Sequence, residues 1–168
     1  MTHQNHIFPV KVGDRFMITI GMKGSDGQMH QVELLADTGN DITLVKRSTA
    51  ESLGFNPDVH GTSFPVAGIT NDPQEFKKIW NLIKLGPELR PVWIRMGMAM
   101  REESLAENLL GKLDILDNGR YEITYDLDSV QFKERHINIH TSTDYDDPLP
   151  TKQRESHRAV RYTPLSIL

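Results

Sequence analysis

Asp37-Thr38-Gly39 places a carboxylate, a hydroxyl and a glycine in succession, directly after the apolar run Leu34-Leu35-Ala36. An acid at the end of a buried strand can be aimed into a cleft, where it can serve as a general acid or base. The tripeptide alone also fits an ordinary turn, because Asp, Thr and Gly tolerate turn conformations. The residues around it therefore decide between a catalytic and a structural interpretation.

A second apolar-glycine element, Leu109-Leu110-Gly111, follows in the second half of the chain. Together the two elements resemble the retropepsin-like family of aspartic proteases, from about Val10 to Phe132. In this resemblance Asp37-Thr38-Gly39 corresponds to the catalytic motif. Leu110 and Gly111 correspond to residues that pack behind the catalytic loop and support it.

The resemblance implies peptide hydrolysis by two carboxylates that share one proton. Two close carboxylates do not readily ionise together, as is known for aspartic-protease dyads, so one can accept a proton from water while the other donates to the peptide oxygen. The chain carries one Asp-Thr-Gly motif. The resemblance therefore implies a symmetric homodimer in which each subunit contributes Asp37.

The residues that follow Asp37 have expected roles in the same scheme. Thr38 is expected to hydrogen-bond across the two-fold axis, and Gly39 to permit close approach of the substrate. Asn40 and Asp41 are expected to contact the substrate, Asp41 through the substrate backbone. Asn40 stands where the family usually has a small Ala or Ser, so the size of the neighbouring subsite is expected to differ.

A flap over the substrate is predicted at Ala67, Gly68 and Ile69, within the hairpin-like stretch from Phe64 to Thr70. Gly68 equally fits an ordinary turn glycine. The next segment, from Phe76 to Leu85, has apolar spacings that fit both a helix and a strand. The resemblance favours the strand, as the returning arm of the flap.

Alternating apolar residues predict strands over residues 16–22 and 32–35, joined by a turn, so that a hairpin leads to Asp37. Further strands are predicted over residues 92–96 and 121–125 and near residues 137–139. Helices are predicted after Ser48, where capping-box spacing precedes Gly54, over residues 102–109 and over residues 114–118. The predicted fold is mainly β: a closed retropepsin-like barrel with a flap hairpin and one or two short helices.

Length and composition indicate one domain. A chain of 168 residues with 38% hydrophobic residues can bury one substantial core. We predict an N-terminal arm at residues 1–9, a protease-like domain at residues 10–132, and a C-terminal strand with an extended polar tail at residues 133–168. The N-terminal arm is expected to be flexible enough for the protein to cut its own precursor at Phe8-Pro9.

Composition also excludes several classes of function. The absence of cysteine excludes a thiol nucleophile and a cysteine zinc site, and the net charge of -4 disfavours a nucleic-acid surface. No apolar run approaches the ~20 residues of a membrane helix, and no signal peptide is recognisable. A soluble cytoplasmic or virus-associated protein is expected. No cofactor or metal is predicted, since His136 and His140 lie on an expected strand.

Two functions remain open from the sequence. The first is an aspartic endopeptidase acting on peptide or protein substrates, with polyprotein processing as one setting. The alternative is a catalytically inactive retropepsin-fold domain that binds peptides or assembles into a larger particle, because one fold can host many functions.

Overall fold

The computed structural model describes residues 5–11, 15–36, 40–67, 71–116 and 121–134. Within these ranges the chain is mainly β, as predicted. The strands are β1 Asn5–Pro9, β2 Met17–Lys23, β3 Met29–Ala36, β4 Thr43–Val45, β5 Thr62–Val66, β6 Gln74–Lys84, β7 Val92–Ala99, β8 Leu109–Leu110, β9 Tyr121–Asp126 and β10 Ser129–Glu134. The helices are α1 Arg47–Ser52 and α2 Leu113–Leu116, with a 3₁₀ turn at Glu102–Ser104.

Several predicted features lie outside the described residues. These are Asp37-Thr38-Gly39, the flap residues Gly68 and Ile69, and the strand and histidines predicted beyond residue 134.

The larger sheet closes into a barrel. Its strand order is β2-β3-β8-β4-β7-β6-β5, and β2 also pairs with β6 through Gly21 with Lys84 and Met22 with Ile83. Six strands therefore form a closed ring, and β5 extends outward along β6. The predicted closed barrel is confirmed.

The hairpin that leads to residue 36 is formed by β2 and β3, in register from Met17 with Leu35 to Lys23 with Met29. Ile18, Ile20 and Met22 are buried in the barrel, as their alternation predicts. Gly27 adopts a φ of 81° in the turn, a conformation that favours glycine. The predicted hairpin is therefore confirmed.

The ambiguous segment after residue 73 is a strand. β6 pairs with β7 over residues 76–83, and its other edge pairs with β5 over residues 74–78 and with β2 at Ile83 and Lys84. The helical interpretation of its apolar spacing is wrong, because pairing on two sides satisfies the backbone of an extended chain. β5 and β6 form the hairpin predicted for the flap.

The predicted start of the first helix is wrong by two residues. α1 begins at Arg47, and Ser48 donates its hydroxyl to Glu102 at 2.8 Å instead of capping the helix. Gly54, with a φ of 86°, follows the end of α1 as predicted. α2 likewise begins one residue before the predicted Asp114.

The helix predicted over residues 102–109 is also wrong. Only Glu102–Ser104 form a 3₁₀ turn, and the chain then extends into β8. Glu102 is held by Lys46 and Ser48, and the backbone of Asn108 accepts a bond from Leu35. Pairing with distant strands thus overrides the local helical spacing of Leu105 and Leu109.

The core has two parts. The main cluster fills the barrel and extends beneath the smaller sheet. The second cluster lies between β4, β5, β6 and the segment before β8, and comprises Ile42, Leu44, Phe64, Val66, Phe76, Ala99 and Leu105, with Leu109 packed against it.

A second, three-stranded sheet has the order β1-β10-β9. Phe8 pairs with Val130, Pro9 pairs with Ser129, and the ring of Phe8 packs edge-on against Phe132 at 5.8 Å. The expected flexible terminus at Phe8-Pro9 is wrong, because these residues are part of a paired strand. Among the residues that the structure describes, no helix has the length and apolarity required to cross a membrane.

Candidate active site

The strand before the Asp-Thr-Gly motif and the strand after it are held apart by a third strand, which pairs with both. β8 pairs in parallel with β3, through Leu35 with Leu109 and Ala36 with Leu110. It also pairs antiparallel with β4, through Leu44 with Leu109. Since β3 ends at Ala36 and β4 begins at Thr43, the segment that carries the motif joins two strands held apart by β8.

Asn108 bridges these two strands with its side chain. Its amide oxygen accepts the backbone N–H of Lys46 at 2.8 Å, and its amide nitrogen donates to the carbonyl of Glu33 at 3.0 Å. Its backbone carbonyl accepts a bond from Leu35 at 2.8 Å. Asn108 therefore fixes the relative position of the chain before and after the motif.

Gly111 lies directly against the chain that follows the motif. A Cβ at this position would lie 2.1 Å from the carbonyl carbon of Ile42 and 2.4 Å from the backbone nitrogen of Thr43. The N–H of Gly111 donates to the hydroxyl of Thr43 at 2.9 Å. The close approach requires glycine, and it places Leu110 and Gly111 against residues 41–43.

Backbone N–H groups at the beginning of α2 bind the carbonyls of Asn40 and Asp41. The N–H of Lys112 donates to the carbonyl of Asn40 at 3.1 Å, and the N–H of Leu113 donates to the carbonyl of Asp41 at 2.9 Å. Together with the Gly111–Thr43 bond, these contacts define a backbone clamp on residues 40–43. The chain immediately after Asp-Thr-Gly is thereby fixed in place.

The side chains of Asn40 and Asp41 differ in their surroundings. Asn40 is 4% exposed, and its amide nitrogen has no hydrogen-bond partner in the described part of the chain. A buried donor without an acceptor costs free energy, so this amide is available to a group that completes the site. Asp41 is half-buried.

The base of the hairpin that is predicted to form the flap lies beside the same segment. Val66, at the end of β5, and Ile42 are buried in the second hydrophobic cluster. Ala67 follows Val66 directly and is partly exposed. The structure therefore brings the flap base and the motif segment together, while the tip residues Gly68 and Ile69 lie beyond the described chain.

A buried ion pair behind the clamp is not anticipated from the sequence. Arg95 on β7 is fully buried, Asp114 on α2 is 4% exposed, and the nearest guanidinium and carboxylate atoms are 2.7 Å apart. Arg95 also stacks on the ring of Trp80 at 5.6 Å. The available signal is a charged residue between Ile94 and Met96 in an apolar strand, which indicates a buried partner but does not identify it.

Two clefts lie outside the predicted site. One of about 450 Å³ is lined by residues that include Lys46, Thr49 and Asn108, and one of about 360 Å³ by residues that include His6 and Lys84. In the described ranges, no three or more His, Cys, Asp or Glu side chains form a group that could hold a metal ion.

No protein-family model and no curated protein matches this chain. Among solved structures, the chain is similar to the crystal structure of a retropepsin-like aspartic protease from Rickettsia conorii. The sequence identity is 17%, the TM-score is 0.49, and the alignment covers 80% of this chain and 96% of that chain. This similarity concerns the overall fold and assigns no role to any residue.

Proposed function

We propose that this protein is an aspartic endopeptidase in which Asp37 from each of two subunits activates a water molecule for attack on a peptide bond. Thr38 and Gly39 complete the catalytic loop. The observation that carries the proposal is the backbone clamp on residues 40–43, directly after the motif. A catalytic carboxylate must be held in one geometry, and a clamped segment between two separated strands supplies that support.

A second copy of the chain is required because two carboxylates must meet. The edge of β9 away from β10 has no partner strand within the described residues. Such an edge can pair with an identical strand around a two-fold axis. In the proposed dimer the two three-stranded sheets join through such an edge, and the two copies of Asp37 face each other across the two-fold axis.

The substrate is a peptide or protein chain bound between the clamped segment and the flap. Asn40 and Asp41 contact it from below, and Ala67, Gly68 and Ile69 from above. The amide nitrogen of Asn40, which has no acceptor among the described residues, donates to a substrate carbonyl in the proposed complex. Closure of the flap would exclude bulk water from the reacting bond and leave the attacking water molecule in place. Processing of a polyprotein is one setting for such an activity.

The test is hydrolysis of a mixed peptide library by the wild-type protein and Asp37→Asn. We expect turnover by the wild type that the substitution abolishes and that a statine inhibitor blocks. Asp58→Asn, which removes an exposed carboxylate beside Arg47, is the matched control and should retain activity.

Mixing the subunits tests whether one site needs two copies of Asp37. With equal amounts of wild type and Asp37→Asn, random exchange leaves about a quarter of the dimers with two intact aspartates. We expect the activity of the mixture to approach a quarter of the activity of the same total amount of wild type. If Asp37→Asn retains a tenth of wild-type turnover, the catalytic carboxylate lies elsewhere. Peptide binding without turnover over a wide pH range would instead support a peptide-binding or assembly domain.

A further inference from the structure

The carboxylate of Asp114 accepts hydrogen bonds from both the side chain and the backbone of Arg95. Asp114 accepts the side-chain Nε of Arg95 at 3.0 Å, its Nη2 at 2.7 Å and its backbone N–H at 2.8 Å. Three donors from one residue leave the carboxylate little freedom to rotate. Charge-assisted bonds of this kind fix orientation as well as position.

This pair joins the two elements that hold the motif segment. Arg95 lies on β7, which pairs in parallel with β4 through Thr43 and Met96. Asp114 lies in the first turn of α2, directly after Lys112 and Leu113, whose N–H groups donate to the carbonyls of Asn40 and Asp41. Backbone hydrogen bonds from the beginning of α2 and strand pairing with β7 therefore both act on residues 40–43.

The chemistry of the pair indicates that it orients α2 on β7 in addition to stabilising the fold. Taking two charges out of water is costly, and apolar residues of similar volume often stabilise a protein equally well. Unlike an apolar contact, the Asp114 carboxylate joins α2 directly to the backbone N–H of Arg95 on β7, at 2.8 Å. The ring of Trp80 beside the guanidinium further restricts Arg95.

We infer that Arg95 and Asp114 are positioning residues: they orient α2 on β7 so that the amides of Lys112 and Leu113 hold residues 40 and 41, and through them the Asp37 carboxylate. The inference rests on the proposed function for its effect on catalysis. Its effect on the backbone clamp does not depend on that function.

The test compares Asp114→Asn with Leu89→Ala. Leu89 is a buried residue between β6 and β7 that makes none of the clamp bonds, so its truncation destabilises the fold without touching the clamp. Hydrogen exchange is measured at the amides of Lys112 and Leu113. We expect Asp114→Asn to lose about tenfold more protection at these two amides than Leu89→Ala.

Kinetics provide the second readout, at a temperature where both variants are folded. We expect kcat of Asp114→Asn to fall about tenfold or more while KM changes little, because misplacement of a catalytic group affects the chemical step. Leu89→Ala should keep both constants. Arg95→Lys, which preserves the charge, should retain more of kcat than Arg95→Met.

If Asp114→Asn does not fold, the double variant Arg95→Met/Asp114→Leu avoids an unpaired buried charge and tests the same point. Equal protection of the two amides in the tested variant and in Leu89→Ala overturns the inference, as does an unchanged kcat. A wild-type protein without Asp37-dependent hydrolysis refutes the proposed function instead, and the exchange measurement still decides whether the pair holds the clamp.

Discussion

Gly111 is the residue of the candidate site with the least room for change. We predict that Gly111→Ala destabilises the protein by at least about 3 kcal/mol, because its Cβ would overlap backbone atoms of Ile42 and Thr43 that cannot move aside easily. Denaturant unfolding measures the effect. Gly21→Ala is the matched control, since its Cβ would meet Lys84 at an ordinary 3.4 Å. Equal stability of the two variants would contradict the close packing described at Gly111.

The residues of the motif segment could be predicted from the sequence, but their partners could not. Asn40, Asp41 and Gly111 are recognisable because of the resemblance to the retropepsin-like family. The clamp on them consists of backbone N–H and carbonyl groups, which every residue carries, so no residue type reveals it. The pairing of Arg95 with Asp114 depends on how β7 and α2 meet in space.

At the scale of elements, α1 is anchored to the following loop by an ion pair. Nη2 of Arg47 lies 2.7 Å from the carboxylate of Asp58, and this hydrogen bond holds the pKa of Asp58 below its ordinary value of 3.8. A lowered pKa in the folded state means that the pair contributes its stability above the unfolded pKa and loses it as the pH falls through the folded pKa.

We therefore predict that wild type melts at a slightly higher temperature than Asp58→Asn near pH 6, and that this difference disappears as the pH falls below about 4. Both side chains are partly solvated, so the difference is small. Asp128→Asn, in the turn between β9 and β10, is the control. A difference between wild type and Asp58→Asn that grows on acidification would contradict the assigned ion pair.

The first strand supplies a second prediction at this scale. Phe8 packs on the main core and on Phe132, whereas its neighbour Ile7 is 52% exposed. Phe8→Ala should lower the free energy of unfolding by about 2 kcal/mol, since the side chain is only partly buried, and Ile7→Ala should change it little. Thermal and denaturant unfolding of the two variants provide the comparison.

The same strand bears on cleavage at Phe8-Pro9. A peptide bond within a paired strand is inaccessible to a protease until the strand detaches. We expect the mass of the folded wild type to remain unchanged on long incubation, and release of residues 1–8 to increase in Phe132→Ala, which weakens the packing of β1 and leaves the Phe8-Pro9 bond intact. Release at equal rates in both proteins would mean that β1 does not protect the bond.

The elements that were predicted correctly share strong alternation or clear turn residues, as in β2 and β3. The errors fall where distant contacts decide the conformation. Residues 102–109 have helical spacing, yet β8 must extend to fill the gap between β3 and β4. The helix start at Ser48 fails because the hydroxyl binds Glu102, a residue far along the chain.

At the scale of the whole molecule, the proposed dimer makes activity depend on concentration. We predict that the total activity falls faster than linearly as the protein is diluted through its dimer dissociation constant, because each site needs an aspartate from both subunits. Sedimentation at the assay concentrations gives the oligomeric state. A fully active monomer would refute the shared site.

The position of β8 also affects how the protein reaches its folded state. The bond between Gly111 and Thr43 spans 68 residues of sequence, and the bond between Asn108 and Glu33 spans 75. Contacts of such long range form slowly, because the entropy of closing a large loop is lost before the contact contributes. During synthesis, the motif segment emerges well before the residues that hold it. A nascent chain that ends before β8 therefore lacks the clamp, and any enzymatic activity must await completion of the barrel.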